Sequence, residues 1–125
     1  MSEPPGAPLL DLTVLIVEDE SIVSFMIEDM LAELGAAEIR HAGGVAEALR
    51  LIGAGRPDVA VLDVNLGGEP IHPVAERLDA LAVPFVFATG YGRQGVPPRW
   101  ATHPVLQKPF PGVELARAMR EVLGR

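Results

Sequence analysis

Four polar clusters could carry out chemistry, and each directly follows an apolar run of the sequence. They are the acidic residues 18–20 (Glu-Asp-Glu), Asp63, the Thr89-Gly90 pair and Lys108. Clustered carboxylates form a hard oxygen site of the kind that Mg²⁺ or Mn²⁺ occupies. A carboxylate beside such a metal can attack phosphorus. The ammonium of Lys108 would then neutralise the transferring phosphoryl group, and the hydroxyl of Thr89 would donate to it.

Lys108 is the single lysine of a chain that contains nine arginines. Arginine offers a planar fork of donors, whereas lysine offers a compact ammonium on a flexible stem. The choice of lysine at this one position therefore indicates a specific need for an ammonium. Taken alone, each polar cluster is equally typical of a turn or of a solvated helix start. Their joint position after apolar runs favours the chemical interpretation.

Short apolar runs alternate with amphipathic stretches along the chain. The runs predict buried strands at Leu12–Val17, Ala37–Ala42, Val59–Leu62, Val83–Ala88 and Pro104–Gln107. Helical spacing predicts helices at Ser21–Leu34, Val45–Ile52, 71–81 and Val113–Leu123. This alternation predicts a flavodoxin-like, doubly wound α/β fold, with a five-stranded parallel sheet of order 2-1-3-4-5 and helices on both faces.

The polar clusters should meet at one edge of that sheet, because ligands of open parallel sheets bind at the carboxyl ends of the strands. Between the last two strands, two consecutive prolines at 97–98 oppose a regular helix. The fourth helix should therefore be short or irregular. Within that connection, Trp100 could anchor a partner or pack inside the protein.

Composition limits the class of protein. The 125 residues suit one domain, which we expect over residues 11–125 after a disordered leader at 1–10. The absence of cysteine excludes disulfides and thiol catalysis. A net charge of −7 argues against nucleic acid as a partner. No apolar run approaches the roughly 20 residues of a membrane span. We expect a cytoplasmic monomer or weak dimer.

The motifs resemble the receiver domain of bacterial two-component response regulators, from about residue 12 to residue 124. The resemblance implies that Asp63 accepts a phosphoryl group from a phosphohistidine of a sensor histidine kinase or a phosphotransfer protein. It also implies Mg²⁺ (or Mn²⁺) as cofactor, bound by Glu18, Asp19, Asp63 and the backbone carbonyl of Asn65.

Further roles follow from the same resemblance. Thr89 and Lys108 would contact the phosphoryl group, and the Lys108–Pro109 peptide bond would be cis. The acid pair is Glu18-Asp19 where the family usually has two aspartates, and metal binding should survive this change. Val105 stands where the family often has an inward-swinging aromatic residue, so a rotating aromatic cannot be the switch on that strand.

Residues 87–91, Phe-Ala-Thr-Gly-Tyr, are similar to the stand-alone receiver subgroup named FATGUY, whose members are linked to kinases of the HWE class. We expect a single-domain response regulator that is not itself an enzyme and signals to an unknown downstream protein. Phosphorylation would switch Thr89, the loop 89–103 and the face that the loop forms with the last strand and helix. Tyr91 would either move with the loop or merely cover it.

Two other functions remain open at this point. A pseudo-receiver would bind partners without phosphorylation, although the complete set of Asp63, Thr89 and Lys108 argues against it. An aspartyl-phosphate phosphatase of the haloacid dehalogenase type would also use a nucleophilic aspartate after a strand. That class needs a second acid two residues later, where this chain has Asn65.

Overall fold

Seven strands and four α-helices form in the described part of the chain, which is residues 7–90 and 92–124 of a computed structural model. The strands are β1 (Thr13–Val17), β2 (Glu38–Ala42), β3 (Val59–Asp63), β4 (Asn65–Leu66), β5 (Glu69–Pro70), β6 (Phe85–Thr89) and β7 (Val105–Gln107). The helices are α1 (Ser21–Glu33), α2 (Val45–Ala54), α3 (His72–Ala80) and α4 (Gly112–Leu123).

The large sheet is parallel and has the order β2-β1-β3-β6-β7. Numbered among themselves, its five strands have the order 2-1-3-4-5, which confirms the predicted flavodoxin-like sheet. The three central strands are apolar on both faces because both faces are covered, as parallel sheets require.

Side chains that alternate along the strands supply two separate cores. On one face, Val14, Ile16, Val61 and Val86 pack with Ile27 and Leu31 of α1 and with Leu115 and Met119 of α4. On the other face, Leu15, Val17, Leu62 and Phe87 pack with Ala48 and Ile52 of α2 and with Val74 and Leu78 of α3. The predicted arrangement of helices on both faces is confirmed.

Two short 3₁₀ turns, Gly92–Gly95 and Pro98–Trp100, occupy the connection between β6 and β7. They confirm the prediction of an irregular fourth helix. Trp100 is only 2% exposed, and its indole N–H donates to Asp79 Oδ2 at 2.6 Å. Its ring packs near Phe85 and Phe87, so Trp100 holds this connection against the sheet rather than anchoring a partner.

Near the start of the chain, Leu9 already packs into the core beside α1. Leu9 is fully buried, and its amide donates to the carbonyl of Leu34 at 3.0 Å. This part of the predicted leader therefore belongs to the core beside α1. Gly35 allows the approach, because its φ of +98° is left-handed and an added Cβ would lie 3.3 Å from the backbone of Leu10. Residues 1–6 of the predicted leader lie outside the described residues, as does Tyr91.

A polar chain of three side chains ties α1 to the edge strand β2. Ser24 Oγ lies 2.6 Å from His41 Nδ1, and His41 Nε2 lies 3.1 Å from Glu28 Oε1. This tie fixes the helix whose first turn begins at the acidic cluster. None of the helices in residues 7–90 and 92–124 is long and apolar enough to cross a membrane.

Candidate functional site

The sheet brings the carboxyl ends of β1, β3 and β6 to one edge, which we call the rim. Val17 pairs with Leu62 and Asp63 pairs with Ala88, so Glu18, Asp63 and Thr89 follow one another across neighbouring strands. All three are polar, yet they are only 3–4% exposed. Buried polar groups are costly unless they are paired, so their burial at one place is typical of a built site.

Lys108 is the centre of the rim. Its ammonium lies 2.6 Å from Glu18 Oε1 and 3.3 Å from Asp63 Oδ2. The backbone positions it, because the Lys108 amide donates to the carbonyl of Thr89 at 2.8 Å, and the Lys108–Pro109 peptide bond is cis. One ammonium therefore bridges two carboxylates that arise from different strands.

Burial and charge act against each other within this cluster. Burial raises the pKa of Glu18 and outweighs the opposing hydrogen bond from Lys108, while the negative charge of Asp63 raises this pKa further. Burial alone would lower the pKa of Lys108. The hydrogen bond to Glu18 and the negative charges of Asp63 and Glu18 outweigh that effect and hold the Lys108 pKa above its ordinary value. Lys108 therefore stays cationic beside Asp63.

The two oxygens of Asp63 have different partners. Oδ1 accepts from the amide of Asn65 at 3.1 Å, whereas Oδ2 faces the ammonium of Lys108. The amide of Val64 donates to the carbonyl of Ala88 at 3.0 Å, and this hydrogen bond links the turn that follows Asp63 to β6. Beyond Asn65 the chain forms the small antiparallel hairpin of β4 and β5, which the sequence patterns did not predict.

The acidic cluster fits a divalent cation of the Mg²⁺ type. Carboxylate oxygens of Glu18, Asp19 and Glu20 all lie within 4.8 Å of one another. Asp19 and Glu20 are exposed, while Glu18 is held in the rim by Lys108 and by the Glu20 amide, which donates to Glu18 Oε2 at 3.1 Å. The donor set is all oxygen and partly open to solvent, which suits an ion that keeps several water ligands.

An apolar surface borders the rim on the side of α1. Ile22, Phe25 and Met26 of α1 are 76%, 63% and 49% exposed. Next to them, a groove of about 350 Å³ runs between α1 and the residues that follow β7, and Lys108 and Phe110 help to line it. A large apolar surface beside a charged site is typical of a docking surface.

Comparisons with known proteins agree with this geometry. The family model described as "Response regulator receiver domain" matches residues 14–120. The chain belongs to this family. Receiver domains are signalling modules of two-component systems, and the expectation from the sequence motifs is confirmed.

Individual receiver domains are similar over most of this chain. The solution structure of SdrG from Sphingomonas melonis Fr1 is 44% identical, with a TM-score of 0.81, and the match covers 93% of this chain and 98% of that one. The receiver domain of sensor histidine kinase PA1611 from Pseudomonas aeruginosa PAO1, which has magnesium in its active-site cleft, is 25% identical over 92% of this chain and 99% of that one, with a TM-score of 0.79.

The transcriptional regulatory protein YvrH of Bacillus subtilis is 32% identical in an alignment of 122 residues, and the match covers 90% of this chain and 49% of YvrH. This domain spans about half the length of the curated relatives that it matches. The match to SdrG supports the resemblance to the stand-alone FATGUY subgroup.

The rim contains one relationship that the sequence did not predict. The contact of Lys108 with a phosphoryl group on Asp63 stays a prediction, and the shortest contact of its ammonium in this structure is with Glu18. Glutamate reaches one methylene further than aspartate, so the Glu18 side chain can meet the ammonium. The glutamate at position 18 and the single lysine at position 108 were the sequence features that could have predicted this ion pair.

Proposed function

We propose that this receiver domain is a phosphorylation-controlled signalling module whose phosphoacceptor is Asp63. The observation that carries the proposal is the burial of Asp63 beside a cationic Lys108, at the edge where β1, β3 and β6 end. A carboxylate held next to a fixed positive charge can accept a phosphoryl group, because the charge offsets the developing negative oxygens.

The contacts of Asp63 indicate which oxygen reacts. Oδ1 is engaged by the Asn65 amide, whereas Oδ2 faces Lys108. We assign Oδ2 as the nucleophile. As the Oδ2–P bond forms, the P–N bond of the donor phosphohistidine breaks, and the imidazole nitrogen leaves with the bonding pair and takes up a proton. The phosphoryl oxygens then lie next to the Lys108 ammonium, and Thr89, the last residue of β6 at this edge, donates its hydroxyl to one of them.

Glu18, Asp19, Asp63 and the backbone carbonyl of Asn65 are the ligands that we assign to Mg²⁺ or Mn²⁺. When bound, the cation supplies positive charge that neutralises phosphoryl oxygens. The protein contributes the all-oxygen cluster and holds Glu18 in place through Lys108 and the Glu20 amide. The similar receiver domain of PA1611, with magnesium in its cleft, supports this assignment.

In this proposal the phosphodonor is a sensor histidine kinase, for which the subgroup resemblance favours the HWE class, or a phosphotransfer protein. Its docking surface is the apolar side of α1, since Met26 lines a groove together with Lys108, and Ile22 and Phe25 of the same helix are exposed. A histidine that delivers phosphorus to Asp63 must approach across this side, and burying these side chains would stabilise the encounter. The exchange takes place in the cytoplasm, between this monomer or weak dimer and its donor.

Phosphorylation then alters the loop 89–103 and the face that it forms with β7 and α4. A separate downstream protein reads that state. The domain is a phosphoacceptor that assists its own phosphoryl transfer and hydrolysis rather than an enzyme acting on other substrates. Nucleic acid is not its partner, given the net charge of −7.

Intact mass measured after incubation with Mg²⁺ and a small phosphodonor such as acetyl phosphate tests the proposal. We expect the wild type to gain one labile phosphoryl group. Asp63→Asn should gain none, whereas Asp29→Asn, which alters an exposed carboxylate of α1, should behave like wild type. A folded wild-type protein without any gain would instead support the pseudo-receiver. Multiple-turnover release of phosphate from unrelated phosphate esters would support the phosphatase.

A further inference from the structure

The first 3₁₀ turn after β6 rests directly on the residue that follows Asp63. A Cβ added to Gly95 would lie 2.8 Å from Val64 Cγ1, closer than real Cβ contacts come. Only glycine therefore fits at this point without displacement of Val64 or of the turn. Val64 is half-buried and packs on the core formed with α2 and α3, so it has little room to yield.

Val64 is also tied to the chemistry of Asp63. The N–H groups of Val64 and of the next residue are both hydrogen-bonded. The Val64 amide donates to the carbonyl of Ala88, and the Asn65 amide donates to Asp63 Oδ1. A phosphoryl group on Oδ2 removes the negative charge that the carboxylate shares with Oδ1, so the hydrogen bond that Oδ1 accepts from the Asn65 amide weakens. That hydrogen bond belongs to the turn that carries the Val64 side chain, and its weakening lets the turn shift.

Arg93 connects the same 3₁₀ turn to the chain that enters β7. Its Nη1 donates to the carbonyl of Ala101 at 2.8 Å and to that of His103 at 3.2 Å. Its side chain also lines a groove with Val105 and with Arg117 of α4. A displacement of the turn at Gly95 is therefore passed on, through Arg93, to the residues that precede β7.

We propose that Val64, Gly95 and Arg93 form a steric relay that transmits the state of Asp63 to residues 101–105. The relay rests on the proposed function, because it supplies the route by which phosphorylation of Asp63 reaches the face formed with β7 and α4. It works by contact between Val64 and the Gly95 backbone and needs no aromatic residue at position 105. Because tightly packed contacts move between discrete arrangements and do not deform continuously, such a contact can switch between two states.

Backbone amide NMR of the full chain, with Mg²⁺ and with or without beryllofluoride as the phosphoryl mimic, tests the relay. Shifts at Asn65 and Thr89 report binding at Asp63, and shifts at Ala101 and His103 report transmission. We expect wild type to show both. Val64→Ala removes the methyl that meets Gly95 and should keep the first set, while the second falls by at least half. Val64→Thr, which preserves the branched shape, should retain both.

A second variant tests the other end of the relay. Arg93 is exposed, so Arg93→Gln should fold normally, and it should retain the shift at Val96 while losing most of the shifts at Ala101 and His103. Full shifts at Ala101 and His103 in both Val64→Ala and Arg93→Gln would overturn the relay while leaving the phosphoacceptor proposal intact. Absence of any shift at Asn65 and Thr89 in wild type would overturn both.

Discussion

The Lys108 ammonium lies 2.6 Å from Glu18 Oε1, closer than the 3.3 Å that separates it from Asp63 Oδ2. The side chain of Glu18 is only 1% exposed and that of Lys108 17%. A buried carboxylate thus keeps the ammonium in place, and this ammonium is the positive charge that the proposed phosphoryl transfer uses. In that proposal, the ammonium moves only a short distance from Glu18 towards the phosphoryl oxygens on Asp63.

This pairing predicts a strong energetic coupling between Glu18 and Lys108. Lys108→Met leaves the Glu18 carboxylate buried without its partner and should lower the free energy of unfolding by about 3 kcal/mol, because a buried unpaired charge is costly. Glu18→Gln should lower the free energy of unfolding by less, since Lys108 retains its ion pair with Asp63. The double variant should lose less than the sum of the two single losses, because Glu18→Gln removes the carboxylate that Lys108→Met leaves unpaired, while Asp63 still lacks its cation. Urea denaturation of the four proteins measures the coupling, and additive losses would contradict it.

Removal of an exposed acid should weaken binding of Mg²⁺ without unfolding the protein. Asp19→Asn deletes a solvent-facing carboxylate oxygen of the acidic cluster, and the affinity for Mg²⁺ should fall by more than about tenfold. Isothermal titration calorimetry measures this directly and does not depend on phosphorylation. Glu47→Gln, which alters a nearby exposed carboxylate outside the cluster, is the matched control. Equal weakening by both variants would indicate only a general charge effect.

The stability of the domain should depend on His103 in mildly acidic solution. Burial lowers the pKa of His103, partly opposed by the negative charge of Asp79, and its ring stacks on Phe85 at 4.6 Å. The unfolded chain therefore binds the proton more readily than the folded one, so the free energy of unfolding falls as the pH drops below about 6.5. His103→Gln should remove this part of the pH dependence, which lies below about pH 6.5. An identical pH profile in the variant would contradict the assignment.

The sequence predicted the sheet and the positions of the rim residues well, because both depend on local patterns. Fully apolar runs such as Val59–Leu62 are sufficient to identify buried strands, and topology then brings Asp63 and Thr89 together. The hairpin of β4 and β5 was missed because each strand has only two residues and no periodicity.

Long-range pairings were beyond the reach of sequence patterns. Glu18 and Lys108 are 90 residues apart, and only the folded sheet shows that Glu18 is the nearer partner of the ammonium. Burial of Leu9 depends on Gly35 and α1, which lie far along the chain. The packing of Trp100 likewise depends on Asp79 near the end of α3, 21 residues earlier in the chain, so composition alone left the role of Trp100 open.

The central claim is that the carboxylate of Asp63 accepts phosphorus, and locating the modification tests it most directly. After treatment with Mg²⁺ and acetyl phosphate, borohydride reduction converts an aspartyl phosphate to homoserine, which peptide mass spectrometry then places in the sequence. We predict homoserine at position 63 in the treated wild type and not in protein that received no donor. Homoserine at Asp19 or Asp58 with Asp63 unchanged, or no homoserine at any position, would contradict the account.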